Sequence, residues 1–115
     1  MNAKRNKNSR PLPAARMVED IVGCKWSLAV LGAVRDGVRR PGAMERSIEG
    51  VSKKVLNERL RKLERFGILA KRSYPEVPPR VEYRLTRFGE RFAALMDGVE
   101  ALQRELAAGR RPPPP

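Results

Sequence analysis

Lys53, Lys54, Asn57 and Arg61 are spaced so that one face of a helix would carry all four. Positions 53, 57 and 61 recur at the i, i+4 interval, and 54 stands two helical turns before 61 on the same side. These side chains suit a partner rich in hydrogen-bond acceptors. Arg or Lys can donate to guanine O6 and N7, an Asn amide can bridge adenine N6 and N7, and Lys can neutralise a phosphate. The chemistry on offer is recognition of a duplex nucleic acid rather than the making or breaking of bonds.

Such a face needs an element to aim it. Leu56, Leu60 and Leu63 form an i, i+4, i+7 apolar stripe on the opposite side, extended by Phe66. Ser52 is placed to cap this helix, because its hydroxyl can accept from a first-turn N–H. Gly67 ends it. Before it, a shorter helix is expected from near Pro41 to about Ile48, with Ala43, Met44 and Ile48 inward and Gly50 as the break. Helix, short glycine-containing turn, helix is the spacing of a helix-turn-helix. After Gly67, residues 68–74 and 80–85 alternate at period two. Leu69, Lys71 and Ser73 face one way, and Ile68, Ala70, Arg72 and Tyr74 the other. The connection Pro75-Glu-Val-Pro-Pro79 stiffens the tip of this hairpin.

From Lys53 to Arg72 there are eight basic residues against two acids. A solvated basic face is the plainer reading of one such helix. The preceding turn and following hairpin favour the reading helix and wing of a winged helix-turn-helix. Arg80 at the wing is expected to meet the DNA backbone or minor groove. Arg39 and Arg40, just before the shorter helix, are expected at phosphates.

Composition narrows the rest. The 115 residues suffice for one domain with tails, and 25 Lys plus Arg against 13 acids give a formal charge of +12. That balance favours a polyanionic partner. No membrane span is expected, since the longest apolar run, Leu28 to Val34, is far below the ~20 residues required. The N-terminal segment is basic but lacks an apolar core, so no signal peptide is expected. With one cysteine, Cys24, this points to a reducing cytoplasm. The chain has no histidine, which excludes His-based acid–base catalysis, a Ser-His-Asp triad and His-containing zinc sites. Enzymatic activity, a cofactor and a metal are not expected.

Residues 1–12 read as a disordered basic arm, residues 13–109 as the domain, and 110–115 as a disordered proline-rich tail. Met17, Val18, Ile21 and Val22 mark a short first helix. Trp26 to Val34 is apolar nearly all round, as a central helix packed on several sides would be, and Asp36-Gly37 ends it. Thr86 can cap a last helix with Phe88, Phe92, Leu95, Met96, Val99, Leu102 and Leu106 on one stripe. That stripe exceeds what a small domain needs to cover its own core, and exposed stripes of this length tend to pair.

Three strings carry a family resemblance: Gly23-Cys-Lys25-Trp26, Ser52-x-Lys54-x-Leu56-x-x-Arg59-Leu60-x-x-Leu63-Glu64-x-x-Gly67, and Tyr74-Pro-Glu-Val-Pro-Pro-Arg80-Val-Glu-Tyr83-x-Leu85-Thr86. On these the chain resembles the HxlR-type regulators, over roughly residues 13–107. The resemblance implies a mainly α fold with a small β-hairpin wing, that is, a winged helix-turn-helix with N- and C-terminal dimerisation helices. It implies a homodimer on a pseudo-palindromic operator, acting as a repressor, with Met17, Val18, Ile21, Phe92, Leu95, Met96, Val99, Leu102 and Leu106 at the dimer contact. Many members carry a Cys-Pro pair thirteen residues before the tryptophan. This chain has Pro13 and Ala14 there, so redox sensing by that pair does not carry over. Cys24 stands where a second glycine is usual. A small residue at a turn is its plainer role, and a redox-responsive thiol beside Lys25 the sharper one.

Two other functions fit the same residues. A sequence-independent nucleoid or RNA-associated module would show the same salt sensitivity without a preferred site. A winged-helix protein-interaction module would bind no duplex even at low salt. The effector, if any, is not legible.

Overall fold

A computed structural model describes residues 13–109. The arm expected at residues 1–12 and the tail expected at 110–115 lie outside the described residues. The elements run α1 (Ala14–Val22), α2 (Lys25–Arg35), α3 (Pro41–Ser47), α4 (Lys53–Arg65), β1 (Leu69–Tyr74), β2 (Arg80–Leu85) and α5 (Arg87–Ala107). This is a winged helix-turn-helix: α3 and α4 form the helix-turn-helix, and the antiparallel hairpin forms the wing. Pairing runs from Leu69 opposite Leu85 to Tyr74 opposite Arg80. The outer edge of β2 takes one more bond, from the Tyr83 N–H to the Arg39 carbonyl at 2.8 Å. That bond ties the segment before α3 to the wing.

The core lies between α1, α2, α4 and the base of the hairpin. Ile21, Val30, Met44, Leu56, Leu60, Leu63 and Ile68 are all essentially inaccessible. Burial of each such side chain is worth ~1.5–3 kcal/mol. The α4 stripe is therefore what holds the basic helix in place. Gly67 has φ +79°, the left-handed turn that lets the chain leave α4 and enter β1 directly. Ile68 departs from the expected alternation. It is buried beside Leu69 because it precedes the strand and packs beneath the start of α5.

That junction is crowded. The Thr86 hydroxyl accepts from the Gly89 N–H at 2.8 Å, capping α5, and donates to the Gly67 carbonyl. The Thr86 N–H donates to the Ile68 carbonyl at 3.0 Å. A Cβ on Gly89 would stand 2.0 Å from that same carbonyl oxygen. The helix can seat on the hairpin base only because residue 89 has no side chain.

Seated this way, α5 buries Gly89, Phe92, Ala93 and Met96, and it leaves Phe88, Leu95, Leu102 and Leu106 exposed. The single stripe expected from the sequence is thus split into two. Farther along, Arg35 of α2 holds Asp97 through two hydrogen bonds, one at 3.0 Å. The hydrogen bonds from Arg35 keep the Asp97 carboxyl below its usual range, so this exposed tie is lost only as pH falls below that range. Among the described residues no helix is long and apolar enough to cross a membrane.

Gly89→Ala should destabilise the fold by ~1–3 kcal/mol, the usual cost of overpacking. Gly98, on the exposed side of the same helix with nothing near its Cβ position, should instead gain ~0.5–1 kcal/mol as alanine. Urea denaturation of the two variants checks both signs.

Candidate nucleic-acid interface

The reading face begins at its cap. The Ser52 side chain accepts from the Val55 N–H at 3.1 Å, which starts α4 in register. With Leu56, Leu60 and Leu63 turned into the core, Lys53, Lys54 and Arg61 are exposed and Asn57 is half-buried between them. None of the three cations forms an ion pair among the described residues. Lys53 and Lys54 also occupy the first turn of α4, which contains no acid. Positive charge there opposes the helix dipole, at a cost of roughly 0.3–1 kcal/mol per residue. The arrangement works against the helix and in favour of an anion brought to it from outside.

Lys62, on the side of α4 toward α1, belongs to the fold. Its ammonium lies 3.9 Å from the Asp20 carboxylate and 5.9 Å from the centre of the Phe66 ring. It fastens α4 to α1.

The wing has two unlike faces. Leu69, Lys71 and Ser73 share one face with Leu85, Tyr83 and Val81 across the ladder. This is the α4 side. Burial, and next the Glu64 carboxylate, push the Tyr83 phenol up, while the Arg61 charge pulls it back down. Both of those neighbours belong to α4. Lys71 lies on this side, exposed and without an ion-pair partner among the described residues. Period-two alternation puts Lys71 on one face of its strand, and the register then sets it opposite Tyr83.

The other face carries Arg80 and is heavily engaged. The Arg80 guanidinium stacks 3.9 Å from the Tyr74 ring centre and lies 3.1 Å from Glu76 and 3.8 Å from Glu82. Arg72 approaches the same ring at 5.1 Å. Glu82 also receives Arg40 at 3.8 Å and the Tyr74 hydroxyl at 3.5 Å. Arg39 and Arg40 are exposed, and the Tyr83–Arg39 bond holds them beside the wing. The structure therefore brings Arg40 and Arg80 together on this face of the wing, places Arg39 at a separate cleft with Arg84 and Glu90, and keeps Lys53, Lys54, Asn57 and Arg61 apart on α4. Glu76 and Glu82, unremarked in the sequence, turn out to govern Arg80.

The residues expected at a dimer contact divide differently. Met17, Ile21, Phe92 and Met96 are buried inside the protomer, because the helix faces that carry them close the core. Val18 and Val99 are half-buried, and Leu95, Leu102 and Leu106 are 50–62% exposed. Val22 and Phe88 add further exposed apolar surface on the same two helices. Between them lies a cleft of about 260 Å³ lined by Ala14, Val18, Phe88, Arg91, Phe92 and Leu95.

Cys24 occupies the N-cap position of α2 and is half-buried. Burial pushes its thiol up. The Ser27 hydroxyl and N–H, the Arg59 charge and the Trp26 N–H outweigh that and leave it below its ordinary value. Alkylation of Cys24 by iodoacetamide should accordingly reach half-maximal rate at a pH below that of a free cysteine. Arg59→Ala should move that midpoint upward, as rates measured across a pH series would show.

Comparison with known proteins agrees with this geometry. Residues 21–109 match the model of the HxlR-like helix-turn-helix family. The uncharacterized HTH-type transcriptional regulator YtfH of Escherichia coli (strain K12) is 41% identical over 100 residues, covering 84% of this chain and 79% of YtfH. A second HTH-type transcriptional regulator, sll1512 of Synechocystis, is 41% identical over 85 residues, covering 74% of this chain and 63% of that protein. The solved structure of the reduced form of the transcriptional regulator YodB from B. subtilis superposes with a TM-score of 0.71 at 27% identity. That match covers 82% of this chain and 92% of YodB.

Proposed function

We propose how this chain, which belongs to the HxlR-like helix-turn-helix family of transcriptional regulators, engages DNA: as a homodimer on a pseudo-palindromic operator, acting as a repressor in the cytoplasm. Each protomer lays α4 in the major groove, and Lys53, Lys54, Asn57 and Arg61 face the base edges and flanking phosphates. Ser52 sits at the start of that helix, close to the backbone. Lys71, Arg39, Arg40 and Arg80 follow the phosphates beside it. Two copies of α4 then lie about 34–36 Å apart, one helical turn of the duplex.

The observation that carries this reading is the uncompensated charge at the start of α4. Two lysines and no acid in a first turn disfavour the isolated helix. A local rule broken at one exposed place marks a surface shaped for a partner, and the partner that reverses the penalty is a phosphate. The homodimer reading is supported by the apolar residues left over on α5. Leu95, Leu102 and Leu106, with Phe88 and Val18 nearby, form a continuous apolar strip beyond what the core uses. Burying that strip against its symmetry mate would space two reading helices on one face of the duplex. Residues 13–109 act as the regulator's one domain.

Selection of bound sequences from a random duplex pool should return an inverted repeat, bound at least about 10³-fold more tightly than random duplex. Equal binding of both would favour a sequence-independent module. Lys54→Ala and Arg61→Ala should each weaken operator binding by ~1–3 kcal/mol where the side chain reads a base edge, with no loss of thermal stability. Leu102→Glu should convert the dimer to a monomer in analytical ultracentrifugation and weaken operator binding with it.

A further inference from the structure

The wing tip carries a carboxylate where a surface for DNA would gain from having none. Glu76 lies in the turn between β1 and β2, its side chain 50% exposed, with an oxygen 3.1 Å from the Arg80 guanidinium. Glu82, only 15% exposed, holds the same guanidinium from within the ladder at 3.8 Å, and Tyr74 supports it from below at 3.9 Å. The Arg80 Nε is buried without a hydrogen-bond partner. Arg40 reaches Glu82 at 3.8 Å. Two guanidinium groups, Arg40 and Arg80, therefore meet two carboxylates, Glu76 and Glu82, before any DNA arrives.

The two carboxylates differ in what could replace them. Glu82 is enclosed by Tyr74, Arg40 and Arg80, so its charge belongs to the architecture of the wing. Glu76 faces solvent and borders an open cleft of about 430 Å³, which Arg40, Gly42, Pro78 and Arg80 also line. The cleft is wide enough for a phosphodiester group, and its two cations come from the two segments that the Tyr83–Arg39 bond joins. A singly charged oxyanion in the cleft would meet Arg80 where Glu76 now meets it. Carboxylate and phosphate oxygens both match the guanidinium fork.

We propose that Glu76 holds, at Arg80, the place that a DNA backbone phosphate takes in the operator complex, and so limits the part of the affinity that is independent of sequence. The inference rests on the wing-to-backbone reading above. On random duplex, a phosphate must displace Glu76 with nothing from α4 in return. On the operator, base contacts from α4 fix the register and carry the phosphate into the cleft. Glu76 thereby makes the wing's phosphate contact conditional on the docking of α4, although it touches no base.

The test measures binding of the full chain to a selected operator and to random duplex across a salt series, for wild type, Glu76→Gln, Arg80→Gln and the double variant. Glu76 is half exposed and Arg80 lies outside the apolar core, so neither change removes a core contact. Thermal unfolding checks this. E76Q should tighten binding to random duplex several-fold and steepen the salt dependence by ~0.9 per wing, one added phosphate contact each. On the operator, where a phosphate already displaces Glu76, E76Q should tighten binding at least as much while leaving the salt slope unchanged. In the Arg80→Gln background the same substitution should do none of this. A salt slope on random duplex unchanged by E76Q overturns the proposal. So does an equal gain with Arg80 removed, which would mark a general effect of charge. A wild-type chain without preference for the operator would instead overturn the operator reading, and the E76Q comparison on random duplex would still decide the role of Glu76.

Discussion

The whole arrangement turns on the close approach of the first turn of α5 to the backbone at Ile68. Three parts of the molecule meet there: the end of the reading helix, the base of the wing and the start of the last helix. Thr86 joins them by capping α5 while bonding back to Gly67 and Ile68, and Gly89 permits it by leaving room for the Ile68 carbonyl. A shift of α5 at this point would turn a different face of it inward. The division between the residues that close the core and those left outside depends on that contact.

Charge follows a second division. On the outer face of α4, Lys53, Lys54 and Arg61 have no ion-pair partner among the described residues, even at the helix end where positive charge is least favourable. On the far face of the wing Arg80 is matched by carboxylates and stacked on Tyr74. The net charge is a property of the whole chain, but the surface does not spread it evenly. One region is ready for an anion without rearrangement, and the neighbouring region must first exchange a partner of its own. Affinity and selectivity can be adjusted separately on such a surface.

Much of this was legible in the sequence, for identifiable reasons. Leu56, Leu60 and Leu63 recur at helical spacing, so the opposite face of α4 followed without coordinates. Ser52 and Thr86 act through bonds three residues away, and Gly67 through its own backbone, so caps and stops are local and readable. The hairpin faces came from period two, and the fold then set which residues pair across the ladder. Less legible were residues whose roles depend on distant partners. Nothing near Lys62 in the chain points to Asp20 of α1, which the fold brings to 3.9 Å from it. Arg80 looked like a bare wing charge until the turn folded Glu76 over it. Met17, Ile21, Phe92 and Met96 looked like surplus apolar surface until the core claimed them.

By itself the sequence determined the elements and their punctuation, the basic character of one helix face and the absence of histidine chemistry. Each of these depends on residues within a few positions of one another, where periodicity, caps and turn chemistry act directly. Tertiary structure alone decided which apolar residues of α1 and α5 remain outside, which arginines are already neutralised, and where Lys71 stands relative to α4. Those outcomes depend on contacts between segments far apart in the chain, set by how closely two backbones can approach. At Gly89 that distance was settled by a missing side chain, whose meaning emerges only when Ile68 lies against it.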